Sequence, residues 1–342
     1  MCGRKRKPDE NGFDQPGDRL CRIMMIFGRH EKKLKGDIEN PDIDSNYHSY
    51  YLFDIRRPVS IIQPMKFESI LEKGSGKLNE DTMVMEGNLF GVFDGATSLD
   101  KKTFGNGKTG GFLASSAAGS VFIKNHFPLV ELARGANKAI YRRMMEHGVD
   151  LSRKENLWST SAAVIRIKDN MLEWVQTGDA YIILIFHDNT HKVLAEQEDH
   201  DYETLCLWPA KKTVNGSGTS ELLADQIRKK RCEMNLTYGV LNGEDKAFDF
   251  LKHGHEPLNQ VRDILLFTDG LSIPAETPEK KKNFTPLVEL YQTLGLNGLK
   301  NRIRQIEDLD PGCSRYPRFK HHDDIAAIAI RDLAGFSKIN AL

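Results

Sequence analysis

From Met65 onward, apolar and polar positions fall into short, well-punctuated segments. MKFESILEKG (65–74) alternates as a strand does. DTMVME (81–86) and LFGVFDG (89–95) read as two more strands, turned at Gly87-Asn88. The small-residue stretch GGFLASSAAGSVFIKNHF (110–127) predicts a helix. PLVELARGANKAIYRRMMEHG (128–148) predicts a second, with Pro128 at its start and Leu129, Leu132, Ala133, Ala136 and Ile140 on one face. STSAAVIRI, MLEWVQTG and AYIILIF follow as strands, with turns at Lys168-Asp169-Asn170 and Gly178-Asp179. Connections this tight predict three antiparallel neighbours, because parallel strands need a long crossover. Residues 187–246 are polar and irregular, with helical stretches. DILLFTDG and DDIAAIAI then bracket a helical insertion, TPLVELYQTLG and NGLKNRIRQIEDL. Strands in runs with helices in pairs give an α+β class in which helices cover antiparallel sheets.

The first 64 residues lack this order. GRKRK and EKKLKGDIENPDIDSN surround the islands CRIMMIF and YHSYYLF, with no sustained period. Asp42, Asp44 and Asn46 open like a calcium loop, but Tyr47 stands where its glycine belongs and Phe53 where its bidentate glutamate belongs. The expected organisation is a poorly ordered, dispensable extension at 1–64, a catalytic domain at 65–335 and a tail at 336–342. Met65 could serve as an alternative start.

Composition narrows the function classes. The chain has 342 residues, with 48 basic and 48 acidic side chains, and so lacks the basic surplus of a general nucleic-acid binder. Its longest apolar run, AYIILIF, is far short of the ~20 residues that cross a bilayer. MCGRKRKPDENGF carries no apolar stretch of the kind a signal peptide needs. Five scattered cysteines (Cys2, Cys21, Cys206, Cys232, Cys313) form no C-x-x-C pair, against a disulfide framework or zinc site. The expectation is a soluble cytoplasmic monomer with no nucleic-acid or membrane partner.

The carboxylates carry the candidate chemistry. Asp94-Gly95 and Asp269-Gly270 each end an apolar strand, and Asp323-Asp324 precede a third. With that third strand antiparallel to one of the others, all gather on one sheet rim, where Glu80-Asp81 and Asp179 can join them. Gathered carboxylates repel and cannot all remain ionised without cations. A hard divalent cation held through oxygen, Mg²⁺ or Mn²⁺ rather than Zn²⁺, resolves that conflict.

In this setting, residues 65–334 resemble the metal-dependent protein phosphatases of the protein phosphatase 2C family, in their bacterial form. The matching pieces, in family order, are NED, LFGVFDG, WSTSAAVIRI, VQTGDAYIILI, AEQEDHDY, NLTYGVLNG, ILLFTDGL and HDDIAAIAI. The resemblance implies an αββα sandwich of two stacked antiparallel sheets flanked by helices. It implies two Mn²⁺ or Mg²⁺ ions per site and a third, weaker one. Asp94 would bridge the two, the Gly95 carbonyl would bind one, and Asp269 and Asp323 the other. Glu80 and Asp81 would hold metal-bound waters, and Asp179 would ligate the third ion. The catalytic set is then Asp81, Asp94 and Asp269, and a metal-bridging hydroxide attacks phosphoserine or phosphothreonine of a protein substrate. Two cations about 3.5–4 Å apart activate a water and clamp phosphoryl oxygens.

Three departures stand out. Ala96 occupies the place of a general-acid histidine, worth roughly 10²–10⁴-fold in rate if nothing replaces it. His321 and His322, next to Asp323, are the nearby imidazoles in sequence. Gly76 replaces a phosphate-binding arginine, leaving Lys77 as a point-charge substitute. DGATSLDKKTFGNGKTGG is expected to be an exposed loop whose glycines serve turns. Its Gly105–Thr109 end mimics a P-loop, but Lys102 stands where the first glycine belongs. The rival reading is a catalytically weak pseudophosphatase acting as a partner-binding signalling scaffold; retention of Asp94, Asp269 and Asp323 weighs against it.

Overall fold

The computed structural model describes residues 66–331 and 333, excepting 97–98, 100–101, 197–198 and 209–216. The expected extension, the C-terminal tail and the Asp42–Asn46 motif lie outside the described residues.

Ten strands form two five-stranded antiparallel sheets. One has the order β1-β10-β9-β6-β7 and the other β2-β3-β4-β5-β8. The first contains β1 (Lys66–Glu72), β6 (Tyr181–Phe186), β7 (His191–Val193), β9 (Val261–Phe267) and β10 (Ile325–Arg331). The second contains β2 (Thr82–Glu86), β3 (Leu89–Gly95), β4 (Thr160–Lys168), β5 (Met171–Thr177) and β8 (Lys252–Pro257). The helices are α1 (Gly110–Phe122), α2 (Leu129–Glu146), α3 (Tyr202–Cys206), α4 (Ser217–Cys232) and α5 (Thr285–Asp308).

The unbroken apolar strands are explained by layers on both faces. Phe90 and Val92 of β3 meet Ile182, Leu184, Ile264, Leu266, Ile328 and Ile330 in the core between the sheets. The alternate residues Leu89 and Phe93 face α1 and α2 instead, against Ala114, Ala117, Phe122, Leu132 and Ile140. On the opposite side Ile183, Leu265 and Phe267 pack on Leu287, Tyr291, Leu299 and Ile303 of α5. Each such buried side chain contributes about 1.5–3 kcal/mol of transfer free energy, so both faces of both sheets must be covered. The result is the expected αββα sandwich. The insertion is one long helix broken at Gly295, whose φ of 70° interrupts it between the two predicted pieces.

One predicted pairing fails. β4 and β5 pair as expected, Ala162 with Thr177 through Lys168 with Met171. However, β5 and β6 are not neighbours: β5 takes β8 as its other partner, and β6 sits between β9 and β7 in the opposite sheet. The partner β8, KHGHEP, is an edge strand too polar to show a strand pattern. Gly178, at φ 67°, lies against Ser161 and turns the chain out of its sheet rather than into a hairpin. The three-residue link, residues 178–180, therefore crosses the rim of the sandwich, and Asp179 rides on that crossing.

Candidate active site

Each acidic residue reaches the rim for a local reason. Asp94 is the penultimate residue of β3 and pairs in register with Ser161 of β4. Ser161 Oγ donates to Asp179 Oδ1 at 2.5 Å, which ties the crossing to that strand. Asp269 lies two residues past the end of β9, in a short helical turn continued by a Ser272 N–H bond to its carbonyl. One carboxylate oxygen from each of Asp94, Asp179 and Asp269 lies within 4.8 Å of the others.

Residues on both sheets position the remainder. Thr268 accepts from the Ala326 N–H at 2.9 Å and donates to Asp81 Oδ2 at 2.7 Å, so β9 and β10 hold a carboxylate that precedes β2. Asp324 accepts from the Gly74 N–H at 2.7 Å and the Glu80 N–H at 2.8 Å, fixing the segment that carries Glu80 and Asp81. Asp323 accepts from Lys320 Nζ at 2.6 Å, and its carbonyl takes Arg304 Nη2 at 2.7 Å. Glu80 is buried, and the start of α1 comes in beside it. A β-carbon on Gly111 would lie 2.7 Å from the Gly95 carbonyl oxygen and 2.8 Å from Glu80 Oε1. Gly111 thus serves close approach rather than the turn role expected of this loop's glycines. Trp158, which opens the WSTSAAVIRI stretch, packs over Gly110 and edge-on to Phe104 at 4.7 Å.

The electrostatics follow from the crowding. Burial, then repulsion from Asp81, Asp269, Asp179 and Asp323, holds Asp94 well above the carboxylate range. Burial does the same for Asp81, with Asp323, Asp324 and Asp269 adding to it and the Thr268 hydrogen bond opposing. Asp269 is pushed up to about 7 by burial, Asp179 and Asp323, against Lys282 and a hydrogen bond with Asp94. Asp179 goes the other way: burial would raise it, but His200, Ser161 and Lys282 bring it below its ordinary value. A donor set of carboxylate oxygens that cannot ionise together fits a hard divalent cation, which takes oxygen ligands and supplies the missing charge.

Glu80, Asp81, Asp94, Gly95, Asp179, Asp269 and Asp323 thus share one region. Lys77 does not join them by any contact: it is exposed, with no ion pair or hydrogen bond among the described residues. His321 and His322 both face Asp308, at 3.4 and 2.9 Å, with their rings stacked at 4.0 Å. The imidazole that reaches the cluster is His200, 3.6 Å from Asp179 and stacked on Tyr238 at 4.2 Å. Burial lowers its pKa, but Asp201, Asp179 and Asp199 together raise it. Lys282, 3.6 Å from Asp199, and Lys320 bring positive charge beside the carboxylates. Sequence reading passes over Lys282 because it sits in a run of three lysines and over Lys320 because it sits in a polar loop; the signal for His200 is its setting in EDHDY.

The sequence profile described as Protein phosphatase 2C matches residues 73–306. The chain belongs to the protein phosphatase 2C family. That makes it a phosphoprotein phosphatase by family, with a span that contains Asp81, Asp94, Asp179 and Asp269. Among solved structures, the Mycobacterium tuberculosis serine/threonine phosphatase PstP/Ppp is 16% identical, at TM-score 0.48 over 78% of this chain and 98% of that one. Stp1 from Staphylococcus aureus is 13% identical, at TM-score 0.49 over 79% and 96%. PppA of Pseudomonas aeruginosa is 14% identical, at TM-score 0.48 over 79% and 98%. No curated protein sequence matches the chain. No helix among the described residues is long and apolar enough to cross a membrane.

Proposed function

We propose that this protein phosphatase 2C member is a Mn²⁺- or Mg²⁺-dependent phosphatase of phosphoserine and phosphothreonine in proteins. The observation that carries the reading is the convergence of Asp94, Asp179 and Asp269 within 4.8 Å from three separate chain segments. Asp94, the Gly95 carbonyl, Asp269 and Asp323 would hold two cations, Glu80 and Asp81 would hold their waters, and Asp179 a third cation. Cations so held would supply an activated water and charge for the phosphoryl oxygens, the two requirements of a slow phosphomonoester hydrolysis. The chain's own contribution is positional. Thr268 and Asp324 lock Asp81 and Glu80 in place, while Ser161 locks Asp179. Fixing the ligands from both sheets before substrate arrives is what electrostatic preorganisation requires.

The test is hydrolysis of a generic aryl phosphate and a phosphothreonine peptide by the purified chain, with and without Mn²⁺. Turnover that needs Mn²⁺ and falls at least about 10²-fold in both Asp94→Asn and Asp269→Asn is expected, since each removes charge at the reacting group. A folded protein with no turnover under any metal would replace this reading with the scaffold. Asp179→Asn should lower turnover while circular dichroism and melting stay near wild type; unchanged turnover would remove the third cation from the reading.

A further inference from the structure

A cavity of about 290 Å³ adjoins the carboxylate cluster, with Asp179, Asp269 and Asp323 among its lining residues. Its walls also include Ile273, Phe284, Pro317 and Phe319. These walls are braced from behind. Phe284 is buried against Tyr181 at 4.8 Å and Phe267 at 5.9 Å. Phe319 stands 42% exposed at the cavity edge, yet Trp208 supports it edge-on at 5.7 Å. Trp208 is itself anchored by its Nε1–H bond to the Cys313 carbonyl at 2.7 Å.

The cations of the cavity are already matched within the protein. Lys282 faces Asp199 at 3.6 Å, Lys320 holds Asp323 at 2.6 Å, and Arg318 holds Asp310 at 3.1 Å while also donating to four backbone carbonyls. Carboxylates outnumber these cations along the cavity, so it does not select an acidic side chain. What Ile273, Phe284, Pro317 and Phe319 offer is apolar surface, the usual lining of a preformed recognition pocket. A chain whose phosphorylated residue sits on the cluster has this adjoining space within reach of its neighbouring side chains.

We propose that this cavity reads substrate sequence: it takes an apolar side chain one or two residues from the phosphorylated one, so the preferred substrates are phosphopeptides with an apolar flank. The proposal rests on the phosphatase reading, because that reading puts the phosphate at Asp94 and Asp269. The selectivity comes from burial of one aliphatic or small aromatic side chain against surfaces that need no reordering. Removing one wall should therefore erase the preference and leave the chemistry at the cluster intact.

The test uses the full chain and fluorescein-labelled peptides that carry a non-hydrolysable phosphonate in place of phosphothreonine. Leu, Ser and Glu are placed in turn at each of the two positions on either side. Fluorescence anisotropy should show Leu binding about tenfold tighter than Ser at one of these positions, the range one buried aliphatic group provides. Phe319→Ser and Ile273→Ser should each shrink that ratio to below about threefold, while Mn²⁺-dependent aryl phosphate turnover stays within twofold of wild type. Equal binding of the Leu, Ser and Glu peptides at all four positions would overturn the proposal, as would a Leu preference that survives in both variants. Because binding is read without turnover, an inactive chain would refute the phosphatase reading through its aryl phosphate result alone, and the flank preference would still be decided.

Discussion

At Asp269 three influences compete: burial and the charges of Asp179 and Asp323 favour the protonated acid, while Lys282 and the hydrogen bond with Asp94 favour the carboxylate. The outcome near 7 has a definite sign. The folded chain holds this proton where the unfolded chain, with an ordinary carboxyl near 3.9, has released it. Without metal, its stability therefore falls as pH rises from about 4 to about 7 and levels off above that. Asp269→Asn should make the metal-free protein more stable at pH 8, by on the order of 4 kcal/mol. The same variant should lose most of the melting-temperature rise that Mn²⁺ gives wild type. Thermal melts at pH 5 and pH 8, with Mn²⁺ or chelator, check both; a metal-free variant melting well below wild type at pH 8 would contradict the account. Asp94 and Asp269 were legible in the sequence because an apolar strand leads straight into each Asp-Gly. Thr268 and Ser161, which hold their neighbours in place, were not, since a hydroxyl near a strand end has no pattern of its own. Lys282 and His200 were hidden for a related reason: a polar loop does not reveal which of its side chains turns inward.

Between α5 and β10 the chain runs through a loop organised by a single carboxylate. Asp310 accepts the N–H groups of Ser314, Arg315 and Tyr316 at 2.8, 3.0 and 2.9 Å, and also Arg318 Nη1 at 3.1 Å. Burial would raise its pKa, but these donors outweigh burial and bring it from 3.8 to about 2. A depressed carboxyl contributes its stability above its unfolded pKa and loses it as pH falls through the folded value. The contribution is then complete above about pH 4 and gone near pH 2, worth about 2 kcal/mol at neutrality. Asp310→Asn should lower the urea midpoint at pH 7 accordingly, and the gap from wild type should close between pH 4 and pH 2. A gap that stays constant across this range would show that the carboxylate charge is not what organises the loop. The loop also carries Phe319 and Lys320, so one element shapes both the cavity wall and the partner of Asp323. Among the regular elements, helices and apolar strands were readable from their periods. β8 was not, because an edge strand with one polar rim can be KHGHEP and still pair along its whole length with β5. The supposed hairpin at 178–179 misled because a glycine with positive φ is equally suited to closing a hairpin and to leaving a sheet.

Over the whole molecule, the two sheets contribute unequally placed halves of one centre. Asp94 extends from the sheet that packs on α1 and α2, while Asp269 and Asp323 extend from the sheet that packs on α5. Their alignment depends on how the layers stack, and the shorter of the two passages between layers near the cluster, among the described residues, is the link at 178–180. That link acts as a ruler. It is three residues long, it spans a fixed gap, and it carries one of the oxygens whose position matters. Lengthening a surface loop by one residue ordinarily costs little, since closure entropy grows only slowly with length. A single glycine inserted after Gly178 should accordingly leave the melting temperature within a few degrees of wild type. Turnover should nonetheless fall about tenfold or more, because displacing a catalytic group by about 1 Å has costs of that size. Steady-state kinetics beside a melt would read both quantities, and equal losses in stability and rate would show that the link is a plain connector. In engineering terms the crossing is a calibrated spacer, so grafting this rim onto another sandwich would require copying its length before copying any of its acids.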